Sequence, residues 1–339
     1  MKIHRVLLST LFVVVAQVAS AQTNVLLSNW VPTSHHAFRL LSDWCGDFSK
    51  VTNNRVKCEV LPKSVSSPGK SADAVRDGLA DISTVIDGYV AAPPVLSMIT
   101  GIPFPPIETT GEAASVAYQR IYDKYFAKFN EFKGLKVLAV WCGSPSKIYT
   151  SKTAINSSTA LQGLKIQANN PDAVAFLRAI GAVPVAKPIS ESYEMLSSGI
   201  TDGLLSPIES VKSFRLNQYV KNVQDTPLIL ASISLFINKG TWEKISAEDR
   251  MAIEKLSGER FSRMSGREFD RADAAAISLL KSNGVVPTPL PDAVIQEWKA
   301  KAKPLEAAWI AAAKAKGLPN PELVLNEFRA EIIKIAREK

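Results

Sequence analysis

Apolar positions along this chain recur with two periods, every second residue in short runs and every third or fourth in longer ones. The change from one period to the other falls at capping residues. Residues 24–29 (NVLLSN) predict a first strand, Thr33 or Ser34 opens a helix, and residues 55–61 alternate as a second strand. Residues 66–76 predict a short helix that Gly78 ends, and residues 81–86 a third strand. The order strand, helix, strand, helix, strand predicts a parallel sheet with right-handed crossovers. Proline-rich residues 92–106 separate it from a long helix at 111–129 and a strand at 135–141.

The same order returns over residues 161–207. Residues 164–166 form a short apolar-centred strand, and Asn170 followed by Pro171 supplies a helix cap and a proline for the first turn. Val174, Phe176, Leu177 and Ile180 keep helical spacing up to Gly181. Val183 and Val185 mark another strand, and Ser190 with Glu191 opens a helix closed by Gly199. The pentapeptide Asp77-Gly78-Leu79-Ala80-Asp81 has a counterpart, Ser198-Gly199-Ile200-Thr201-Asp202, about 120 residues later. Either this is the common chemistry of helix-to-strand turns or the chain holds two copies of one lobe; the matching context favours the copies.

Two later segments outrun a single lobe. Residues 228–237 predict a long apolar strand. Ser246, with Asp249 three residues on, starts a helix that can run to Asn283 before Gly284. Unbroken, that helix would span roughly 55 Å, with Gly258 and Gly266 as places to bend. The expected division is therefore a first lobe of residues 22–143 plus about 236–265, and a second of 144–235 plus about 266–339. Residues 293–339 predict two further helices split at Gly317-Leu318-Pro319-Asn320-Pro321.

The first residues change the length to be folded. Lys2 and Arg5, an apolar run at 6–15 and Ala19-Ser20-Ala21 predict a signal peptide, residues 1–21, cleaved on export to the periplasm. Cleavage leaves 318 residues and lowers the net charge from +8 to +6. No basic patch interleaved with aromatics accompanies that charge, so nucleic-acid binding is not expected. Three cysteines make an odd number for an exported chain. Cys45 lies on the inner stripe of the first helix and Cys58 on the apolar face of the next strand. They predict either a disulfide or two buried thiols, with Cys142 left free.

Catalytic signatures are missing. Pro68-Gly69-Lys70-Ser71 resembles a phosphate loop, but Ser64 stands where that loop needs glycine. No nucleophile elbow, zinc-binding pair of histidines or paired Cys-x-x-Cys occurs. The adjacent His35 and His36 would point about 100° apart on a helix, so no metal site is expected from them. No cofactor and no catalytic residue is expected. Binding needs only a dry cleft with a few aimed polar groups, and open α/β lobes place such groups at strand ends. The candidates are Trp30, His35, His36, Asp87, Tyr89 and Trp141 from the first half. Gln167, Asn169, Asn170, Ser206, Glu209 and Phe236 come from the second half and the returning strand.

Asp77-Gly78 with Ala80-Asp81, Ile102-Pro103-Phe104, Gly163-Leu164-Lys165-Ile166, Gly181-Ala182, Tyr193 through Leu196 and Asp202-Gly203 together resemble the periplasmic solute receptors of TRAP transporters, the DctP family. The resemblance implies an α/β, two-lobed periplasmic-binding-protein fold, type II-like, with parallel or mixed sheets flanked by helices and a long strand and helix crossing between lobes. It also implies a monomeric receptor that closes on one small solute and delivers it to small and large TRAP membrane subunits, without catalysis. The family usually has a carboxylate-clamping arginine where this chain has Gln167. Gln167 carries no charge, which favours an amine or hydroxyl-bearing polar solute. An organic acid is the alternative if His35, His36, Lys147 or Arg215 supplies the cation. A lyase or dehydratase using Asp87 or Glu209, or a ligand-presenting sensor, would fit the same scaffold.

Overall fold

The computed structural model describes residues 22–338, so the expected signal peptide lies outside the described residues. The first half contains β1 (Thr23–Ser28), α1 (His36–Val51), β2 (Val56–Val60), α2 (Ser71–Arg76), β3 (Ile82–Ile86), α3 (Gly111–Ile121) and β4 (Leu135–Cys142). Then follow β5 (Lys147–Thr150), β6 (Lys165–Ala168), α4 (Pro171–Ala179), β7 (Val183–Ala186), α5 (Ser192–Ser197), β8 (Gly203–Ser206), α6 (Glu209–Ser213) and β9 (Asn222–Val223). The chain returns through β10 (Ser232–Asn238) and ends in α7 (Lys239–Lys244), α8 (Ala247–Leu256), α9 (Gly258–Ser282), α10 (Asp292–Ala315) and α11 (Pro321–Arg337).

Two five-stranded sheets result, ordered β2-β1-β3-β10-β4 and β7-β6-β8-β5-β9. In each, three parallel strands come first and an antiparallel strand joins beside the third. The shared order supports the duplicated-lobe alternative. The short β5 and β9 were not anticipated, because neither is long enough to show a period.

The crossing between lobes is double-stranded. β4 runs into β5 through residues 143–146, and residues 228–231 lead back beside them into β10. Gly143 N–H donates to Ala231 O at 3.2 Å and Ser146 N–H to Ile229 O at 2.8 Å. The regular strand expected from residue 228 begins only at Ser232, since Leu228–Ala231 pairs through an isolated bridge.

α9 is the third crossing. Phe261 and Phe269 pack in the core of the first sheet, whereas Ala276 and Leu280 pack with Tyr149 and Leu204 of the second. The single helix expected from 246 to 283 is two helices, broken where Ser257 is extended and Gly258 has φ of +55°. The remaining 25 residues of α9 span about 37 Å. Gly266 does not interrupt it. The first half of α10 packs on α4 in the second lobe, whereas its Trp309 and Ala313 join α11 against α3 in the first. No helix among the described residues is long and apolar enough to cross a membrane.

Cys45 of α1 and Cys58 of β2 are disulfide-bonded, with Cα atoms 5.1 Å apart, and Cys142 is free and buried. Their separation of 13 residues closes a short loop, worth about 3 kcal/mol in lost freedom of the unfolded chain. A Cys45→Ser, Cys58→Ser double variant should therefore lose about that much in urea unfolding. The wild type under strong reductant should match it. Equal stability of oxidised wild type and variant would show that the bond contributes nothing.

Candidate functional site

Between the lobes lies a cavity of about 70 Å³. That is about half of the roughly 150 Å³ that a benzene-binding cavity offers, so the lobes stand close together over it. Five aromatic side chains line it: Trp30 after β1, Trp141 at the end of β4, Phe214 after α6, and Phe261 and Phe269 from one face of α9. Ile86, Ile189, Pro207 and Ile233 complete the apolar wall, and the polar groups on it are few. Asn29 is buried. Its Oδ1 accepts the Val31 N–H at 3.2 Å while its Nδ2 has no protein partner, nor has the Trp141 indole N–H.

His35 and Glu209 are the ionisable groups on this wall. His35 is the N-cap of α1, and its Nδ1 accepts the Ala37 N–H at 3.1 Å. A neutral His35 therefore carries its proton on Nε2, which lies 3.5 Å from Glu209 Oε2. Burial lowers His35 to about 4, against the opposing pull of Glu209, and His36 lowers it further. For Glu209, burial works upward. The interaction with His36, the charge of both imidazoles and the Ser213 hydroxyl outweigh it and hold the carboxyl at about 2. Ser213 Oγ donates to Oε2 at 2.6 Å and Ser210 Oγ to Oε1 at 3.0 Å. Asp273 Oδ1 accepts the Glu209 backbone N–H at 2.9 Å.

The two histidines do not diverge as helical neighbours would. His35 has the extended backbone of a cap (φ −75°, ψ 139°), so the rings stack at 4.4 Å and both Nε2 atoms come within 3.6 Å of Glu209. Ligand atoms of His35, His36 and Glu209 thus lie within 4.8 Å of one another. They form a poor metal site, since the capping bond takes the His35 Nδ1 lone pair and leaves the proton on the nitrogen that would have to bind.

The other candidates separate. His36 opens onto an outer vestibule of about 500 Å³ that shares His35 and Glu209 with the cavity. Asn169 lines the cavity and, with Tyr89 and Asn170, a groove at the seam of the lobes. There Tyr89 Oη accepts the Ile189 N–H at 3.2 Å, and Asn170 caps α4 through the Ala173 N–H at 2.8 Å. Gln167 does not line the cavity: its Nε2 donates to Pro188 O at 2.8 Å and Lys187 O at 3.2 Å, tying β6 to the segment after β7. Ser206 is buried at the end of β8, paired with Lys147 of β5. Asp87 and Phe236 lie off the cavity. Asp87 is buried with Ser232, Ser234 and Ser97, and Phe236 stacks on Phe132 at 6.0 Å.

The matches to known proteins agree with this architecture. The profile of the bacterial extracellular solute-binding proteins, family 7 (DctP), covers residues 27–312. The chain is 31% identical over 318 residues to "Outer membrane transporter protein TsaT" of Comamonas testosteroni, across 92% of this chain and 93% of that one. It resembles a TRAP periplasmic solute-binding protein of Bordetella bronchiseptica solved with (R)- and (S)-mandelate, at a TM-score of 0.87 and 33% identity, covering 92% and 99% of the two chains. A marine metagenome TRAP solute-binding protein from an unidentified microbe, described as specific for aromatic acids and solved with metahydroxyphenylacetate, superposes at 0.83 with 26% identity over 92% and 99%. With two matching sheets, an interlobe cavity and a family profile spanning most of its length, this chain belongs to the DctP family of TRAP solute-binding proteins.

Proposed function

We propose that this receptor takes up a small aromatic acid of one ring and presents it to the small and large subunits of a TRAP carrier. The observation that carries the choice is the cavity wall, which five aromatic side chains line. A sugar acid would place several hydroxyls against that wall and leave them unpaired, at a cost of about 1–3 kcal/mol each. Aromatic rings stack or meet edge-on with such a wall. Solved relatives with mandelate and metahydroxyphenylacetate support the same class. Export to the periplasm, expected from the first 21 residues, places the receptor where such a carrier is loaded.

A second reading, an aromatic amine or alcohol, is favoured by one feature: among the described residues no lysine or arginine lines the cavity, and Glu209 does. An ammonium group would pair directly with that carboxylate.

Thermal shift followed by calorimetry separates the readings. The panel is (R)-mandelate, 3-hydroxyphenylacetate, benzylamine, benzyl alcohol, D-glucuronate and succinate. Micromolar or tighter binding of the aromatic acids, with the compound recovered unchanged, is the expected result. Benzylamine binding while the acids do not would replace the first reading with the second. Tight succinate or glucuronate binding would remove both, and turnover would make the protein an enzyme.

A further inference from the structure

A carboxylate in this cavity meets an electrostatic difficulty that the wall itself does not relieve. It would lie in a narrow apolar space beside the Glu209 carboxylate, with no lysine or arginine among the described residues on the lining. Two carboxylates sharing a dry site do not both stay ionised without compensation. The compensation available is titratable. His35 and Glu209 lie on the cavity wall, and His36 from the vestibule and Asp273 behind Glu209 join them in one cluster, through contacts of 3.5, 3.6 and 2.9 Å to Glu209.

We propose that an aromatic carboxylate binds against the His35–His36–Glu209–Asp273 cluster together with one proton from solvent, so that the loaded cavity gains no net charge. This rests on the aromatic-acid reading above.

The surroundings of the cluster are consistent with it. From α1, Arg39 faces the vestibule but is paired with Glu268 of α9 at 3.4 Å, and Arg271 of α9 pairs with the same carboxylate. Lys212 of α6 and Arg215 just after it line the vestibule and not the cavity. Lys147 of β5 acts on Asp273 from a distance while bonded to Asp225. These fixed cations draw an anion towards the mouth, but none follows it inside. Asp273 is half-buried, and loss of hydration with the Glu209 charge raises it to about 7, despite the Ser144 hydroxyl. It is therefore the member closest to accepting a proton at neutral pH. His35, neutral in the free protein, is the next; in so coupled a group the proton belongs to the cluster as a whole.

The test is calorimetry with (R)-mandelate at pH 8, in phosphate and in Tris, whose ionisation enthalpies differ. Wild type should take up close to one proton per ligand, and its Kd should rise by up to tenfold per pH unit above about 7. Glu209→Gln, which removes the competing charge, should bind mandelate at least as tightly with little uptake and a flat pH profile. Asp273→Asn keeps an acceptor for the Glu209 amide and should also reduce the uptake. Tight mandelate binding with zero uptake in wild type would overturn the proposal. So would a pH slope unchanged in both variants. Failure of every aromatic acid to bind even at pH 6 would instead remove the acid reading, and the proton linkage with it.

Discussion

Replacing Gly266 by alanine should destabilise the fold by about 3 kcal/mol or more and lower the melting temperature by several degrees. A Cβ there would lie 2.4 Å from Gly111 O, 2.5 Å from Glu112 Cα and 2.7 Å from Glu112 N. None of these is the far end of a flexible side chain. They belong to the first turn of α3, which the Thr110 cap and the Asp270 carboxylate hold in place; the latter accepts Gly111 N–H at 2.6 Å and Glu112 N–H at 3.1 Å. Relief would require α9 to move away from α3. Because Ser265 and Phe269 flank Gly266 and line the cavity, ligand affinity should fall in step with stability. Wild-type melting and binding in the variant would show that the helices part without cost.

Asp87→Asn should do the opposite, and only at neutral or alkaline pH. Burial raises the Asp87 carboxyl from 3.8 to about 6, even though the Ser234, Ser232 and Ser97 hydroxyls pull it down. A carboxyl raised in the folded state leaves stability intact below its unfolded value, and stability falls as pH rises through the folded one. Above pH 6 the wild type thus carries a penalty of roughly 3 kcal/mol, two pKa units at 1.36 each, which the amide removes. Denaturation curves at pH 8 should place the variant above wild type by about that amount, and the two should converge near pH 4. A variant less stable at pH 8 would mean that the serines need a charged acceptor more than the core resists one.

Much of the frame was legible in the sequence because capping residues and glycine stops are local chemistry. Asn170 with Pro171 opens α4, and Ser246 accepts the Asp249 N–H as its spacing implied. The sides of elements were harder. Trp141 faces the cavity and Cys142 the core behind it; Ile86 faces the cavity and Asp87 does not. Strand alternation decides such cases, but only once the buried face is known. Asp87 and Phe236 therefore looked like cleft residues when only their nearness to strand ends was visible. Phe261 and Phe269 leave a trace in the sequence: they lie eight residues apart on the helix expected to cross between lobes. The position of α11 had no local sign at all. Its apolar face packs on α3 and on the end of α10, far away in sequence from the former.

Four spans of chain join the lobes: β4 into β5, the segment entering β10, α9 and α10. Two are neighbouring extended strands, thin and bonded to each other; the other two are helices with one end packed in each body. Sliding one lobe over the other would strip Phe269 or Ala276 from its packing, and twisting would shear the paired strands. The soft motion that remains is a bend at the paired strands, with the helices following. The cavity should open as a book opens along its spine, exposing the aromatic wall and the charged cluster to water in one movement.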